Sequence, residues 1–434
     1  MAKIKIGVLG ATRGTELINT SLCNHPSAEL VAICEKFEPL RLKTEELCRA
    51  LGKNVVCYSN VDDFMSADMD AVVLANYANE HVPYAVRALL AGKHVLSEVM
   101  PVQTLAEAVQ LCEAVEKSGK IYAYAENYCY FDAMFEMRLR YDRGDIGEAT
   151  GAQAIFVNNL ESRWPRLTRG ERDNWRNLVP STFYCSHSIG PMLFITGLRP
   201  VNVVGMEMPN LPSLRKLGAR CGAAGMEVME LNNGAFACSI HGNISRMYLA
   251  NCNIYGTKGT METDRYEDNK LHVITETDAS AWNNRYELNN IHTQTEVEQH
   301  RWNHEAYFAR PCINGEPVSK DDRHGTALVM DSFIGTILGD ETAKKYTIDV
   351  YQALDMGLPG LLAFRSIVNG STPFTVPDFR NKEEREKYRY DYTCTDPKIA
   401  SGDQLLPPCK DGNVDIPDEV YERVAEMFRQ GIIG

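Results

Sequence analysis

The chain of 434 residues has little that would tie it to a membrane, a metal or a nucleic acid. Nowhere do eighteen apolar residues follow one another, so a membrane-spanning helix is not expected. Positive charge is scarce: 45 Lys and Arg against 58 Asp and Glu leave a formal charge of −13, whereas a nucleic-acid partner needs a basic face. The 13 cysteines form no C-x-x-C pair and no cluster, so no metal site is expected. Their odd total, and positions such as Cys34, Cys112 and Cys238 in apolar segments, suit free thiols in a reducing compartment. The opening MAKIKIGVLG enters a strand directly, with no apolar signal-peptide core and cleavage site. A cytoplasmic location follows as an expectation.

What is present is ordinary globular composition, 44% apolar and 24% charged, in a chain long enough for two or three domains. Up to residue 125, short apolar runs (IKIGVLG, ELVAIC, DAVVLA, KHVLSE, KIYAYAE) alternate with helical patterns such as EHVPYAVRALLAG. Buried parallel strands give runs of this kind. In TLAEAVQLCEAVEKSG, Thr104 is placed to cap a helix that ends at Gly119. Strand, helix, strand at this spacing predicts a doubly wound parallel sheet in an α/β fold. From about 150 the segments TGAQAIFV, PVNVVGMEM, GAFACSIHGNI, LANCNIYG and LHVITET follow one another with few helices. They predict a second α/β domain with a large open, mostly antiparallel sheet. The expected boundaries are 1–125 for the first domain and 126–375 for the second, with 265–325 a polar insertion. Residues 376–434 are expected as a Pro- and charge-rich extension over the surface or a neighbouring subunit.

The first strand-to-helix turn is Gly10-Ala11-Thr12-Arg13-Gly14. A dinucleotide fold needs glycine here for the tight turn and for close approach of the pyrophosphate. The G-x-G-x-x-G spacing is not met, since Thr12 takes the second glycine's place and Gly14 comes early. Alone, the loop is equally an ordinary glycine turn. Glu35, 25 residues after Gly10, ends the second strand, where a carboxylate can accept from ribose hydroxyls and repels a 2′-phosphate. Together these features predict a nicotinamide dinucleotide site that favours NAD.

After the fourth and fifth strands stand Ala78-Asn79-Glu80-His81, AGKHVLSE and Pro101, with GTKG at 256–259 and DVYQAL at 349–354 in the second half. On these residues the chain resembles the glucose–fructose oxidoreductase/inositol dehydrogenase/MocA (Gfo/Idh/MocA) family of NAD(P)-dependent proteins over about residues 3–370. That resemblance implies an N-terminal Rossmann domain and a C-terminal domain carrying the substrate site. The family's dehydrogenases continue Glu-Lys-Pro where this chain has Glu98-Val99-Met100-Pro101, and Phe183 stands where their second-domain Asp precedes the histidine. The departures resemble one branch, the NAD-dependent glycoside hydrolases typified by α-N-acetylgalactosaminidase. Its motifs are matched by Glu98-Val99, by Glu126-Asn127-Tyr128-Cys129-Tyr130, by Trp175-Arg176 and by Tyr184-x-x-His187-x-x-Gly190-Pro191. Tyr248, eight residues before GTKG, and Arg323-His324-Gly325 extend the match.

The resemblance implies a tightly bound, recycled NAD that transiently oxidises a sugar hydroxyl at C3, so that the aglycone can be eliminated and water added. It implies a small carbohydrate or glycoside as substrate, and a homodimer or homotetramer. Tyr184, His187 and Tyr128 are the expected proton-handling residues; a phenol needs a cationic or hydrogen-bonding neighbour for that work, while an imidazole titrates in range. The expected cofactor contacts are Gly10, Thr12, Arg13, Gly14, Glu35, Asn79, His81, Glu98, Val99, Asn127, Trp175 and Arg176. Tyr130, Tyr184, His187, Tyr248 and His324 are the expected sugar contacts. Tyr128 and Tyr130 also suit core aromatics, and His187, His241 and His324 also suit structural histidines. A sugar, cyclitol or glycoside 3-dehydrogenase stays open as an alternative function, and so does a non-catalytic NAD-binding protein.

Overall fold

The computed structural model describes residues 3–245, 247–266, 270–275 and 325–431, and the backbone of 286–289, 312–313 and 316–317. Six strands form the first sheet: β1 (Ile4–Leu9), β2 (Ala28–Cys34), β3 (Val56–Tyr58), β4 (Ala71–Leu74), β5 (His94–Ser97) and β6 (Tyr122–Tyr124). All pair in parallel, in the order β3-β2-β1-β4-β5-β6. That is the doubly wound order in which the strand sequence reverses between β1 and β4. The central strands bury most of their side chains; β4 is Ala-Val-Val-Leu with all four buried. The helix His81–Leu90 packs on β4 and β5 through His81, Val82, Ala85, Ala88 and Leu89, the spacing of one helical face. The helix expected after Thr104 spans Leu105–Ser118 and stops at Gly119.

The second sheet has nine strands in the order β14-β13-β12-β11-β7-β10-β9-β8-β17. Its members are β7 (Ala149–Val157), β8 (Pro200–Met208), β9 (Ala224–Leu231), β10 (Phe236–Gly242), β11 (Leu249–Gly256), β12 (Gly259–Thr263), β13 (Lys270–Thr275), β14 (Tyr286–Asn289) and β17 (Phe374–Thr375). A separate pair is formed by β15 (Cys312–Ile313) and β16 (Glu316–Pro317). The sheet is mixed: β7 and β10 are parallel neighbours, while β8, β9, β11, β12, β13 and β17 pair antiparallel. One face takes the helix Ser186–Thr196, which packs on β7, β10 and β11. Met206, Val228 and Phe236 are exposed on its strands.

Packing groups the described residues into two compact units otherwise than the texture of the sequence does. The first combines the opening residues up to Val102 with 107–136 and the described part of 289–354; the second takes 103–106, the described part of 137–288 and 355 onward. Residues just past 125 stay with the first sheet because their aromatics are core: Phe135 meets the Tyr346 ring at 5.0 Å. Residues after 375 are no loose extension of the second unit. Val424 of the helix Asp418–Arg429 is buried in a cluster with Trp164, Leu214, Cys221 and Ala223.

Candidate functional site

In the first unit the chain turns sharply after β1. Gly10 has φ +93°, and a Cβ there would lie 2.5 Å from the Ala75 carbonyl oxygen at the end of β4. Only glycine allows the two parallel strand ends to stand this close with that backbone. Gly14 is buried and Thr12 is exposed. Glu35 is buried at the end of β2, with Oε2 accepting from the Ala11 amide at 2.9 Å and Oε1 from the Phe37 amide at 2.8 Å. Each oxygen keeps lone-pair capacity for a further donor, so the carboxylate both ties the turn and can meet a hydroxyl.

Glu98 is equally buried. Arg13 donates from Nε to its Oε1 at 2.6 Å, and the Val99 amide lies 3.3 Å from Oε2. Burial works against the Arg13 charge, but Glu98 and Glu16 outweigh it and raise the guanidinium's pKa. The acid that ends the fifth strand therefore has a cationic partner from the first turn, which local sequence gave no sign of. His81, 1% exposed, directs Nδ1 at the Met100 carbonyl oxygen (3.1 Å), and burial lowers its pKa. It is a neutral histidine that supports the loop carrying Val99. Asn76 and Asn79, in the loop after β4, each hold a buried Oδ1 with no hydrogen-bond partner among the described residues. Such orphaned acceptors beside the strand ends fit a polar ligand such as a dinucleotide.

Glu126, Asn127, Tyr128 and Tyr130 belong to the same unit and are buried. Glu126 caps the turn by accepting from the Tyr128 amide, and the Tyr128 ring stacks on Phe131 at 4.5 Å. Tyr130 departs from its expected role as a sugar contact. Its hydroxyl donates to the Tyr346 carbonyl at 2.6 Å, and burial pushes its pKa well up. It is a core tyrosine with its polar end satisfied.

The second unit holds a cavity of about 270 Å³. Tyr184, His187 and Arg176 line it together with Phe156, Trp164 and Arg163. The Arg176 guanidinium stands over the Trp175 ring at 4.5 Å and over the Tyr184 ring at 5.4 Å. A guanidinium so placed opposes any negative charge on the phenol. Tyr184 and His187 stack with centroids 6.2 Å apart, and Phe156 meets His187 edge-on at 4.7 Å. Neither Arg163 nor Arg176 meets a carboxylate among the described residues.

The backbone dictates this grouping. In the helix Ser186–Thr196 every residue but His187 is buried. Pro191 removes the amide that would bond the His187 carbonyl. Just before it, Thr182 donates to the Gly360 carbonyl at 2.7 Å and Cys185 Sγ lies 3.4 Å from the Met356 carbonyl. A Cβ at Gly360 would sit 2.2 Å from the Thr182 carbonyl oxygen. The segment bearing Tyr184 is thus clamped on backbone at direct contact.

Trp175 lies behind Arg176 rather than on the cavity surface, and Tyr248 is exposed and meets Phe156 edge-on at 6.2 Å. His324 lies outside the described residues. Cys221 also lines the cavity, but burial, reinforced by Glu207, pushes its thiol up to about 12, so it is no nucleophile at neutral pH. No group of three or more metal-ligating side chains occurs among the described residues.

Sequence reading did not pick out Asn158, Asn243 or Glu227. Asn158 follows β7 and Asn243 follows β10, and these parallel strands pair Val157 with Gly242. Both asparagines reach the cavity side by side. Glu227 had a signal: in GMEVMEL the alternation puts it in phase with buried Met229 and Leu231. An acid on the inward phase of a strand marks a paired or functional group.

Comparison with known proteins fits these two halves differently. Residues 4–126 match the model of the oxidoreductase family with an NAD-binding Rossmann fold, Gfo/Idh/MocA. A glycosyl hydrolase family 109 protein of Shewanella amazonensis is 26% identical over 203 residues, 44% of each chain. The glycosyl hydrolase family 109 protein 1 of Bacteroides fragilis is 27% identical over 198 residues, 43% of this chain and 42% of its own. The chain thus spans under half the length of the curated relatives it matches. Among solved structures, levoglucosan dehydrogenase in complex with NADH and levoglucosan superposes with TM-score 0.67 at 16% identity, covering 86% of this chain and 100% of its own. At that identity the likeness is one of fold.

Proposed function

We propose that this chain, whose residues 4–126 are a Gfo/Idh/MocA-type NAD-binding Rossmann domain, is an NAD-dependent glycoside hydrolase working by oxidation, elimination, hydration and reduction. The observation that carries the reading is double. Tyr184, His187 and Arg176 converge on one cavity, and Val99 stands where the family's dehydrogenases keep their lysine. The curated glycosyl hydrolase family 109 relatives support it.

NAD, when bound, supplies the hydride acceptor and donor at a sugar carbon. The Gly10 turn, the Glu35 carboxylate and the orphaned Asn76 and Asn79 oxygens would hold it. In the cavity, Tyr184 takes the proton of the C3 hydroxyl, with Arg176 over its ring to oppose the charge. Once C3 is a carbonyl, the C2–H is acidic enough for His187 to remove it. The C1–O bond then breaks, the leaving oxygen takes up a proton, and water adds at C1. Return of the C2 proton and of hydrogen to C3 restores the sugar, so the net reaction is hydrolysis. Tight retention of NAD through this cycle is part of the proposal.

A sugar dehydrogenase is the second reading, because the same Tyr184 and His187 pair suffices to take a hydroxyl proton in a net oxidation. A panel of α- and β-aryl glycosides in D₂O separates the two. Hydrolysis by this route releases aglycone, puts deuterium at sugar C2 and accumulates no NADH. A product free of deuterium, or NADH formed in step with substrate loss, overturns it.

A further inference from the structure

Beneath the cavity lies a histidine–glutamate pair that the sequence motifs do not include. His241, on β10, is 1% exposed and lines the cavity; Glu227, on β9, is fully buried. His241 Nδ1 stands 3.3 Å from Glu227 Oε2 and 3.4 Å from Ser239 Oγ. Cross-strand register explains the meeting, since Ser239 lies opposite Glu227 and His241 is two residues further along the same face.

Counting protons decides which imidazole nitrogen carries its hydrogen. Ser188 Oγ lies 3.0 Å from the Cys185 carbonyl, which can only accept, so the Ser188 hydrogen goes there. Ser188 Oγ and Ser239 Oγ are 2.8 Å apart, so Ser239 donates its own hydrogen to Ser188. Ser239 is then an acceptor towards His241, and Glu227 Oε2 stands 3.3 Å away with no hydrogen-bond partner of its own among the described residues. Nδ1 must donate, and the lone pair falls on Nε2. That atom is buried and has no hydrogen-bond partner among the described residues, and the same holds for Oδ1 of Asn158 and of Asn243 on the same cavity wall. Three acceptors without donors describe a surface awaiting hydroxyl groups.

We propose that His241, held in its Nδ1–H form by Glu227 and the Ser239–Ser188 chain, is a further proton-accepting residue of this cavity. It takes the proton of a ligand hydroxyl seated against Asn158 and Asn243. The ligand's O–H bond breaks, the Nε2–H bond forms, and Glu227 balances the imidazolium. Glu227 is a positioning residue, and the carboxylate–imidazole–hydroxyl order is that of a general-base dyad. The other titratable or charged side chains around the cavity are His187, Tyr184, Cys221, Arg163 and Arg176, and all five are present in the variants below.

This inference rests on the proposed use of the cavity for a hydroxylated substrate, and its test has an arm that does not. Imidazole ¹⁵N–¹H correlation spectra of the ligand-free protein, with the His241 signal assigned by its loss in His241→Gln, should show Nδ1 protonated and Nε2 bare near neutral pH. A protonated Nε2 beside a bare Nδ1 overturns the proposal. Kinetics form the second arm, using whichever reaction the wild type performs, aglycone release or NADH formation. His241→Gln should lower kcat by about 10²–10⁴-fold with a smaller change in KM. Glu227→Gln should move the acidic limb of the pH profile of kcat/KM. Wild-type kcat and an unmoved limb in both variants overturn it. NADH formation by the wild type without aglycone release would defeat the glycosidase reading and leave the His241 test standing.

Discussion

At the scale of single residues, burial converts several titratable groups into structural ones. His81 is the clearest case. Burial depresses its pKa from the ordinary value, although the Met100 carbonyl and Glu98 oppose that shift. The unfolded chain therefore takes up a proton at His81 as pH falls through about 6.5, while the folded chain resists it. The stabilisation is complete above the unfolded value and is lost as pH falls from there towards the folded value. Urea unfolding of wild type and His81→Asn should show the gap between them narrowing from pH 7 to pH 5. A constant gap would mean that His81 is not held neutral. Glu98 is the complementary case, a buried acid paired with Arg13, whose Nε stands 2.6 Å from its Oε1. Residue type and strand position announced the acid, but its partner 85 positions away could not be read from either.

At the scale of elements, the helix Ser186–Thr196 and the segment before it show how apolar packing aims polar chemistry. A helix buried nearly all round leaves its one unburied side chain to point into whatever space is left. His187 is that side chain, and the space is the cavity. The clamp on this segment is the Gly360 contact with Thr182. Gly360→Ala forces the two backbones apart, and overpacking of this kind costs about 1–3 kcal/mol. The expected outcome is a lowered urea midpoint together with reduced turnover, as Tyr184 shifts with Thr182. A midpoint equal to wild type would show that the helix yields at no cost. The pattern of strands and helices was legible here, and so were Tyr184 and His187. The cavity's asparagines were not, because nothing local to VNNL or HGNI says that β7 and β10 end side by side.

At the scale of the whole molecule, two compact units carry the two halves of the proposed chemistry, a dinucleotide cradle and a hydroxyl-binding cavity. A cycle that returns its hydride has no use for cofactor exchange. The purified protein should therefore retain NAD through gel filtration and release it, near one per chain, only on acid denaturation. Chromatography of the released nucleotide measures this directly. Recovery of a nucleotide-free protein that needs added NAD for each turnover would remove recycling from the scheme. Bound ligand also stabilises, by about 2.7 kcal/mol at a hundredfold excess over Kd, so stripped protein should melt earlier than the protein as isolated.

The sequence by itself determined the parallel sheet, its strand order class, the glycine turn with Glu35, and the Tyr184/His187 pair. The sheet rests on local periodicity, Glu35 on its place at the end of the second strand 25 residues after Gly10, and the Tyr184/His187 pair on a short motif and the family resemblance it carries. Tertiary structure decided the rest. It moved Tyr130 into the core, drew residues 376–431 into the second unit, gave Glu98 its arginine and set Glu227 under His241. These depend on which strands become neighbours and in what register, a property of the closed sheet that no short stretch of chain contains.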